Sequence, residues 1–157
     1  RAAYADPEDG TARAALMLAA SQAGMAFSNA SVALVHGMSR PIGAHFHVAH
    51  GLSNAMLLPA ITAFSVSHAP SRYAQVARVM KWATGTDTDE TACAKLVEGL
   101  TQLNVDLEVP TPRTLGHNKD DKMFALMAAQ ALASGSPQNN PRVPTVDEII
   151  QLYDKIW

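Results

Sequence analysis

A chain of 157 residues, 48% hydrophobic and 17% charged, is the size of one domain and has ample material for a core. Its formal net charge of -2 gives no electrostatic case for nucleic acid or an anionic membrane as partner. The single cysteine, Cys93, excludes an internal disulfide framework and fits a reducing, cytoplasmic setting.

No signal-peptide pattern opens the chain. Residues Arg1 to Gly10 read as a lead-in, with Asp6-Pro7-Glu8-Asp9 placing proline and acids where a helix start wants them. From Thr11 to about Val35 the chain is Ala-rich, and Leu16, Met17, Ala20, Ala23, Gly24 and Phe27 recur at helical spacing. The small residues Ala19, Ala20, Ala23 and Gly24 predict close helix–helix packing. Ser28-Asn29 is expected to divide this stretch, with Asn29 capping a second helix that delivers His36.

The stretch Val35 to Pro59, VHGMSRPIGAHFHVAHGLSNAMLLP, holds four of the six histidines: His36, His45, His47 and His50. Neutral imidazole is the commonest protein ligand for a transition metal. His36 and His50 are fourteen residues apart. On one straight helix that is about 21 Å of rise, too far for one ion whose bonds to nitrogen are about 2 Å. The chain therefore has to turn back between them. Pro41 cannot donate a helix hydrogen bond and disfavours helix at Arg40, and Gly37 and Gly43 widen the backbone choices. The expectation is helix, His36, irregular connection, His50, and a second helix from near Gly51. Two imidazoles make an incomplete site, because catalytic metal sites take three protein ligands or more. No Asp or Glu lies between Ala30 and Val66, so further ligands would come from elsewhere.

The longest uncharged stretch, Pro41 to Ser71, carries too many His, Ser, Asn and Pro residues for a membrane span. Ser53 to Phe64 is helical by composition, with Pro59 expected at a kink. Ser71 to Trp82 follows, with Tyr73, Val76, Val79 and Met80 as its apolar stripe, Ala69-Pro70-Ser71 as cap and Gly85 marking its end. Asp89 to about Leu103 is the next helix, with Ala92, Leu96, Gly99, Leu100 and Leu103 on one face. Asn104 to Thr114 reads as a proline-bounded loop. Lys119 to Ala133 is helical, with Met123, Leu126, Met127, Gln130 and Ala131 spaced for packing. Ser134 to Pro144 is turn-rich. Thr145 and Glu148 form a capping box for a last helix whose buried face is Ile149, Leu152, Tyr153 and Ile156. No period-two pattern persists, so the fold class is all-α, an irregular helical bundle.

The stretch Phe27 to Pro59, FSNASVALVHGMSRPIGAHFHVAHGLSNAMLLP, resembles the signature of the iron-containing (group III) alcohol dehydrogenase family. GMAFSN before it, YAQVARVM after it and the ending NPRVPTVDEIIQLYDKIW extend the resemblance over nearly the whole chain. The resemblance implies a two-domain enzyme whose N-terminal α/β domain binds NAD or NADP and whose C-terminal helical domain carries a divalent metal. No G-x-G-x-x-G turn or βαβ pattern occurs here. Residues 1–157 then correspond to a single, incomplete C-terminal metal-binding domain, starting at Arg1 and inactive alone.

In the family one Asp and three His hold the metal, and the last two His match His36 and His50. The metal expected is Fe2+, with Zn2+, Ni2+ and Co2+ compatible with such ligands. It acts as a Lewis acid in interconverting an alcohol with its aldehyde or ketone. Four residues after the first ligand the family often has a His near nicotinamide and substrate. Here Arg40 stands there, and an arginine stays protonated, so a proton-relay role does not carry over. Before the second ligand the family usually has Pro, and here it is Ala49. His45 and His47 match no ligand position and are expected to line the cleft, with Met38, Phe46 and Leu52 as its apolar walls. Asn140-Pro141-Arg142 falls at a bend in a structural role. The implied partners are a small alcohol or aldehyde and a second copy in a homodimer. A glycerol dehydrogenase or maleylacetate reductase type enzyme, or a non-catalytic helical fragment, are the rival readings.

Overall fold

The computed structural model describes all 157 residues and contains helices and no strands. It divides into two compact units, Arg1–Val32 and Ala33–Trp157. No single helix is long and apolar enough to cross a membrane.

The first unit holds α1 (Ala2–Ala5) and α2 (Gly10–Ala30). The lead-in is thus partly helical, and the start of α2 is set by Asp9, whose side chain accepts from the backbone N–H groups of Thr11 and Ala12. Asn29 does not cap a second helix. Its Nδ2 donates to Met25 O at 2.7 Å, and α2 runs on to Ala30 before Ser31 leaves it at φ 68°. The expected packing face is not buried: Leu16, Met17, Leu18, Met25 and Phe27 are all exposed. A four-residue α1 offers no surface on which a 21-residue apolar helix can pack.

The second unit holds α3 (Leu34–Phe46), α4 (His50–Ser65), α5 (Pro70–Val79), α6 (Asp89–Asp106), α7 (Asp121–Ala133) and α8 (Val146–Ile156), with short 3-10 turns at 66–68, 113–115 and 136–139. One core lies among α3, α4, α7 and α8, where Leu34, Met38, Ile42, Leu57, Phe124, Met127, Ile149 and Tyr153 are essentially inaccessible. The Thr145/Glu148 capping box forms as expected at the start of α8. Asn140 donates from Nδ2 to Ser65 Oγ at 2.9 Å and to Arg142 O at 2.8 Å, tying the 136–144 turn to the end of α4.

A smaller core joins α5 to α6. Here the expected stripe of α5 is wrong: Val76, Val79 and Met80 are exposed, and Ala74 and Ala77 are buried instead. Small residues let the two helices approach closely. An added Cβ on Gly99 would lie 2.4 Å from the Trp82 ring. On α7 the buried residues are Phe124, Met127, Ala128 and Ala131, while Leu126 and Gln130 face solvent.

Both internal prolines sit inside helices, Pro41 in α3 and Pro59 in α4. Neither ends its helix, and at Pro59 the orphaned carbonyl finds another partner. Pro59 has no N–H for Ala55 O, and that carbonyl accepts Asn104 Nδ2 at 2.8 Å from α6. α6 runs past Leu103 to Asp106 and so carries Asn104 on a helix rather than in the expected loop. Beside Pro41, Met38 O accepts the buried Tyr153 hydroxyl at 2.8 Å, and burial pushes that phenol far above its ordinary pKa.

Candidate metal centre

The turn-back between His36 and His50 is not made at Pro41. α3 passes through Pro41 and ends at Phe46, and the reversal falls on residues 47–49. From His36 to Phe46 the helix rises about 15 Å. The four peptide steps from Phe46 to His50 reach back at most about 14 Å when extended. The return brings the two rings to a centroid distance of 5.2 Å. His36 therefore lies near the start of α3, not at the end of a preceding helix, and His50 is the first residue of α4.

Local chemistry supports the reversal. His47 takes the left-handed conformation, φ 55° and ψ 26°, and its N–H closes α3 on Gly43 O at 3.0 Å. Gly43 is tight here, since an added Cβ would lie 3.3 Å from Val48 O. Val48 is buried, and the Ser53 hydroxyl donates to Ala49 O at 3.1 Å. Ala49 has φ -56° and ψ 140°, an extended conformation open to proline as well. Gly37 has a different reason: a Cβ there would press on Pro137 Cγ and Cδ at 3.0 Å, so its absence lets the 136–139 turn lie against α3.

The rings of His36 and His50 stand with centroids 5.2 Å apart and planes inclined by 52°. An ion bonded to an imidazole at about 2.1 Å lies about 3.3 Å from the ring centre. Two such rings at a tetrahedral angle have centres about 5.3 Å apart, and at a right angle about 4.6 Å. The observed spacing falls in this range, so the pair fits one shared cation. His36 is half-buried, and burial first, then the neighbouring His50 and Arg40, hold its pKa below the ordinary imidazole value, which favours the neutral, ligating form. No third His, Cys, Asp or Glu joins the pair.

Of the other expected site residues, Arg40 lies one turn beyond His36 on α3 and donates from Nη1 to Ser136 Oγ at 3.1 Å. His45 is held by Gln130 of α7, Nε2 to Oε1 at 2.8 Å. His47 is exposed and serves as the left-handed end of α3. Neither of these two joins the ring pair. Met38 is no cleft wall, being fully buried in the core. Phe46 packs on the rings of His117 and Trp157, with centroids 4.8 and 5.1 Å away, and half-buried Leu52 packs on the main core. A groove of about 650 Å³ runs between Pro59, Val97, Asn104 and Ile156 and contains none of the histidines.

One residue of the centre was not singled out from sequence. Asn54, four residues after His50 on α4, donates from Nδ2 to His50 Nε2 at 3.1 Å, and its Oδ1 is buried without a partner. The i, i+4 spacing was the available signal. The amide holds one ring nitrogen of His50, so a cation takes the other nitrogen or displaces the amide.

The profile of the Fe-containing alcohol dehydrogenase family, C-terminal, matches residues 1–157. Lactaldehyde reductase of Escherichia coli K12 is 36% identical over 136 residues, which is 86% of this chain and 35% of that protein. 1,3-Propanediol dehydrogenase of Klebsiella pneumoniae is 34% identical over 144 residues, 90% of this chain and 36% of the relative. Among solved structures, a 1,3-propanediol oxidoreductase superposes with a TM-score of 0.80 at 31% identity, covering 86% of this chain and 35% of that one. The iron-containing alcohol dehydrogenase of Thermococcus thioreducens gives 0.79 at 33% identity over 94% of this chain. The chain thus spans about a third of the length of the relatives it matches. With its helical fold, its paired imidazoles and a family match along its whole length, this chain belongs to the iron-containing alcohol dehydrogenase family, in the C-terminal helical part.

Proposed function

We propose that the full-length protein carrying this chain is a metal-dependent, NAD(P)-linked alcohol dehydrogenase acting on a small alcohol or its aldehyde or ketone, with His36 and His50 as two ligands of one divalent metal. The observation that carries this reading is the 5.2 Å ring pair, built by residues inside the family-matched sequence. A divalent ion held there supplies Lewis acidity for alcohol–carbonyl interconversion, while a nicotinamide carries the hydride. His36 contributes a lone pair from a ring whose neutral form burial favours. His50 contributes a second from the first turn of α4, oriented by Asn54. Fe2+ accords with the family's name, and Zn2+ suits two neutral imidazoles as well. Relatives include an NADPH-dependent butanol dehydrogenase and an NAD-dependent methanol dehydrogenase, so the proposal covers either dinucleotide.

In this reading the protein works in the cytoplasm as a homodimer, without nucleic acid or membrane partners. Residues 1–157 alone bring two donors where a working centre takes three or more, so the isolated polypeptide is inactive.

The test is elemental analysis of the purified full-length protein, together with NADH- or NADPH-dependent reduction of short aldehydes. The wild type is expected to carry about one divalent ion per chain, and His36→Ala and His50→Ala each to lose it together with activity. Full metal occupancy in both variants would overturn the ligand assignment.

A further inference from the structure

Arg40 is a permanent cation beside a site that takes a second one. It lies four residues after His36, where i and i+4 side chains share one helix face with Cβ atoms about 6 Å apart. Its guanidinium is anchored at one corner only, on the neutral Ser136 hydroxyl, and the side chain is otherwise exposed. Five N–H donors in a planar fork leave most of this group unused.

No ion pair offsets this charge. The sequence holds no Asp or Glu between Asp9 and Asp87, and none between Asp121 and Asp147. Of the elements packed on α3, α4 and the 136–139 turn hold no carboxylate, α7 holds Asp121 at its first residue, and α8 holds Asp147, Glu148 and Asp154, of which Glu148 pairs with Arg142 and Asp154 with Lys119. None of the ion pairs of the structure includes Arg40. A guanidinium next to a divalent site, without a carboxylate of its own, favours an anion brought by the ligand.

We propose that Arg40 is a specificity-determining residue that binds the carboxylate of the substrate, so that the enzyme acts on a short-chain hydroxy acid or its oxo acid in preference to an uncharged alcohol. The planar fork matches a carboxylate by two parallel hydrogen bonds. The one-turn separation from His36 suits a molecule whose reacting oxygen and carboxylate are a few bonds apart. The phosphates of a nicotinamide dinucleotide offer the same oxyanion chemistry from a greater distance from the reacting carbon. This inference rests on the proposed dehydrogenase activity for its kinetic arm and is independent of it for its binding arm.

The experiment uses the metal-loaded full-length enzyme and an isosteric pair, 3-hydroxypropionate and 1,3-propanediol. Wild type is expected to show the higher kcat/KM for the acid, and Arg40→Met to reduce the acid-to-diol ratio at least tenfold, with Arg40→Lys recovering part of it. Calorimetry with 3-hydroxypropionate is expected to show at least tenfold weaker binding to Arg40→Met, while ADP-ribose binds both proteins alike. A wild type that prefers the diol, or an acid-to-diol ratio unmoved by Arg40→Met, overturns the proposal and leaves the dehydrogenase reading standing. Weakened ADP-ribose binding with acid binding intact assigns the guanidinium to the dinucleotide and also overturns it. If neither compound is turned over, the dehydrogenase reading falls and calorimetry alone decides the carboxylate site.

Discussion

Asn104 and Pro59 act as a pair, and the pairing can be measured. Pro59 deletes the N–H that would close on Ala55 O, and Asn104 Nδ2 donates to that carbonyl at 2.8 Å from the neighbouring helix. Asn104→Ala removes the only replacement donor. An acceptor left unsatisfied costs roughly 1–3 kcal/mol when buried, and because Ala55 and Asn104 are half-buried the lower part, about 1 kcal/mol, is expected. In a Pro59→Ala background the main-chain N–H returns and takes the carbonyl itself. There the cost of Asn104→Ala should drop below about 0.5 kcal/mol, leaving a coupling of the remainder between the two sites. Urea unfolding of the full-length protein and its three variants supplies the cycle. Equal costs of Asn104→Ala in both backgrounds would refute the reasoning, since they would show that the amide does something other than replace the missing donor.

Further expectations follow from the same contacts. His45→Ala in the full-length protein should keep its metal, because His45 is engaged by Gln130 rather than by the ring pair; metal loss equal to that of His50→Ala would place it in the ligand set. Tyr153→Phe removes the buried hydroxyl bond to Met38 O and should lower stability by roughly 0.5–1.5 kcal/mol in urea unfolding. Asp87 accepts from Lys95 Nζ and from Thr84, and these contacts, Lys95 first, lower its carboxyl pKa to about 2. Its folded-state pKa lies below the unfolded value, so its stabilisation is present above about pH 4 and fades as pH falls toward 2. Asp87→Asn should therefore unfold at lower urea than wild type at neutral pH, with the gap closing over that acid range.

Local rules recovered the elements that local chemistry decides. The Thr145/Glu148 box marks the start of α8 because its two hydrogen bonds lie within four residues. Helix α6 and its face of Ala92, Leu96 and Leu100 are legible from spacing alone. The failures share a cause, a partner distant in sequence. Pro41 looks like a breaker, yet α3 runs through it within a core shared with α4, α7 and α8, whose residues lie far away in sequence. The partner that Asn104 gives to the carbonyl orphaned by Pro59 is likewise distant in sequence. On α5, Val76 and Val79 outrank alanine in any apolar stripe, yet close approach to α6 rewards Ala74 and Ala77. At the centre, the need for His36 and His50 to converge followed from bond lengths. The place of the reversal did not, because it depends on His47 accepting a left-handed backbone that asparagine or glycine adopts more readily.

The matched arms around residues 47–49 make the two histidines unequal under insertion. One residue added within α3 between His36 and Phe46 swings the first imidazole about 100° around its axis relative to the reversal. One residue added at 47–49 leaves that bearing intact and merely slackens the strand leading to α4. Evolutionary length changes in this region should therefore collect in the short link and spare the rod before it.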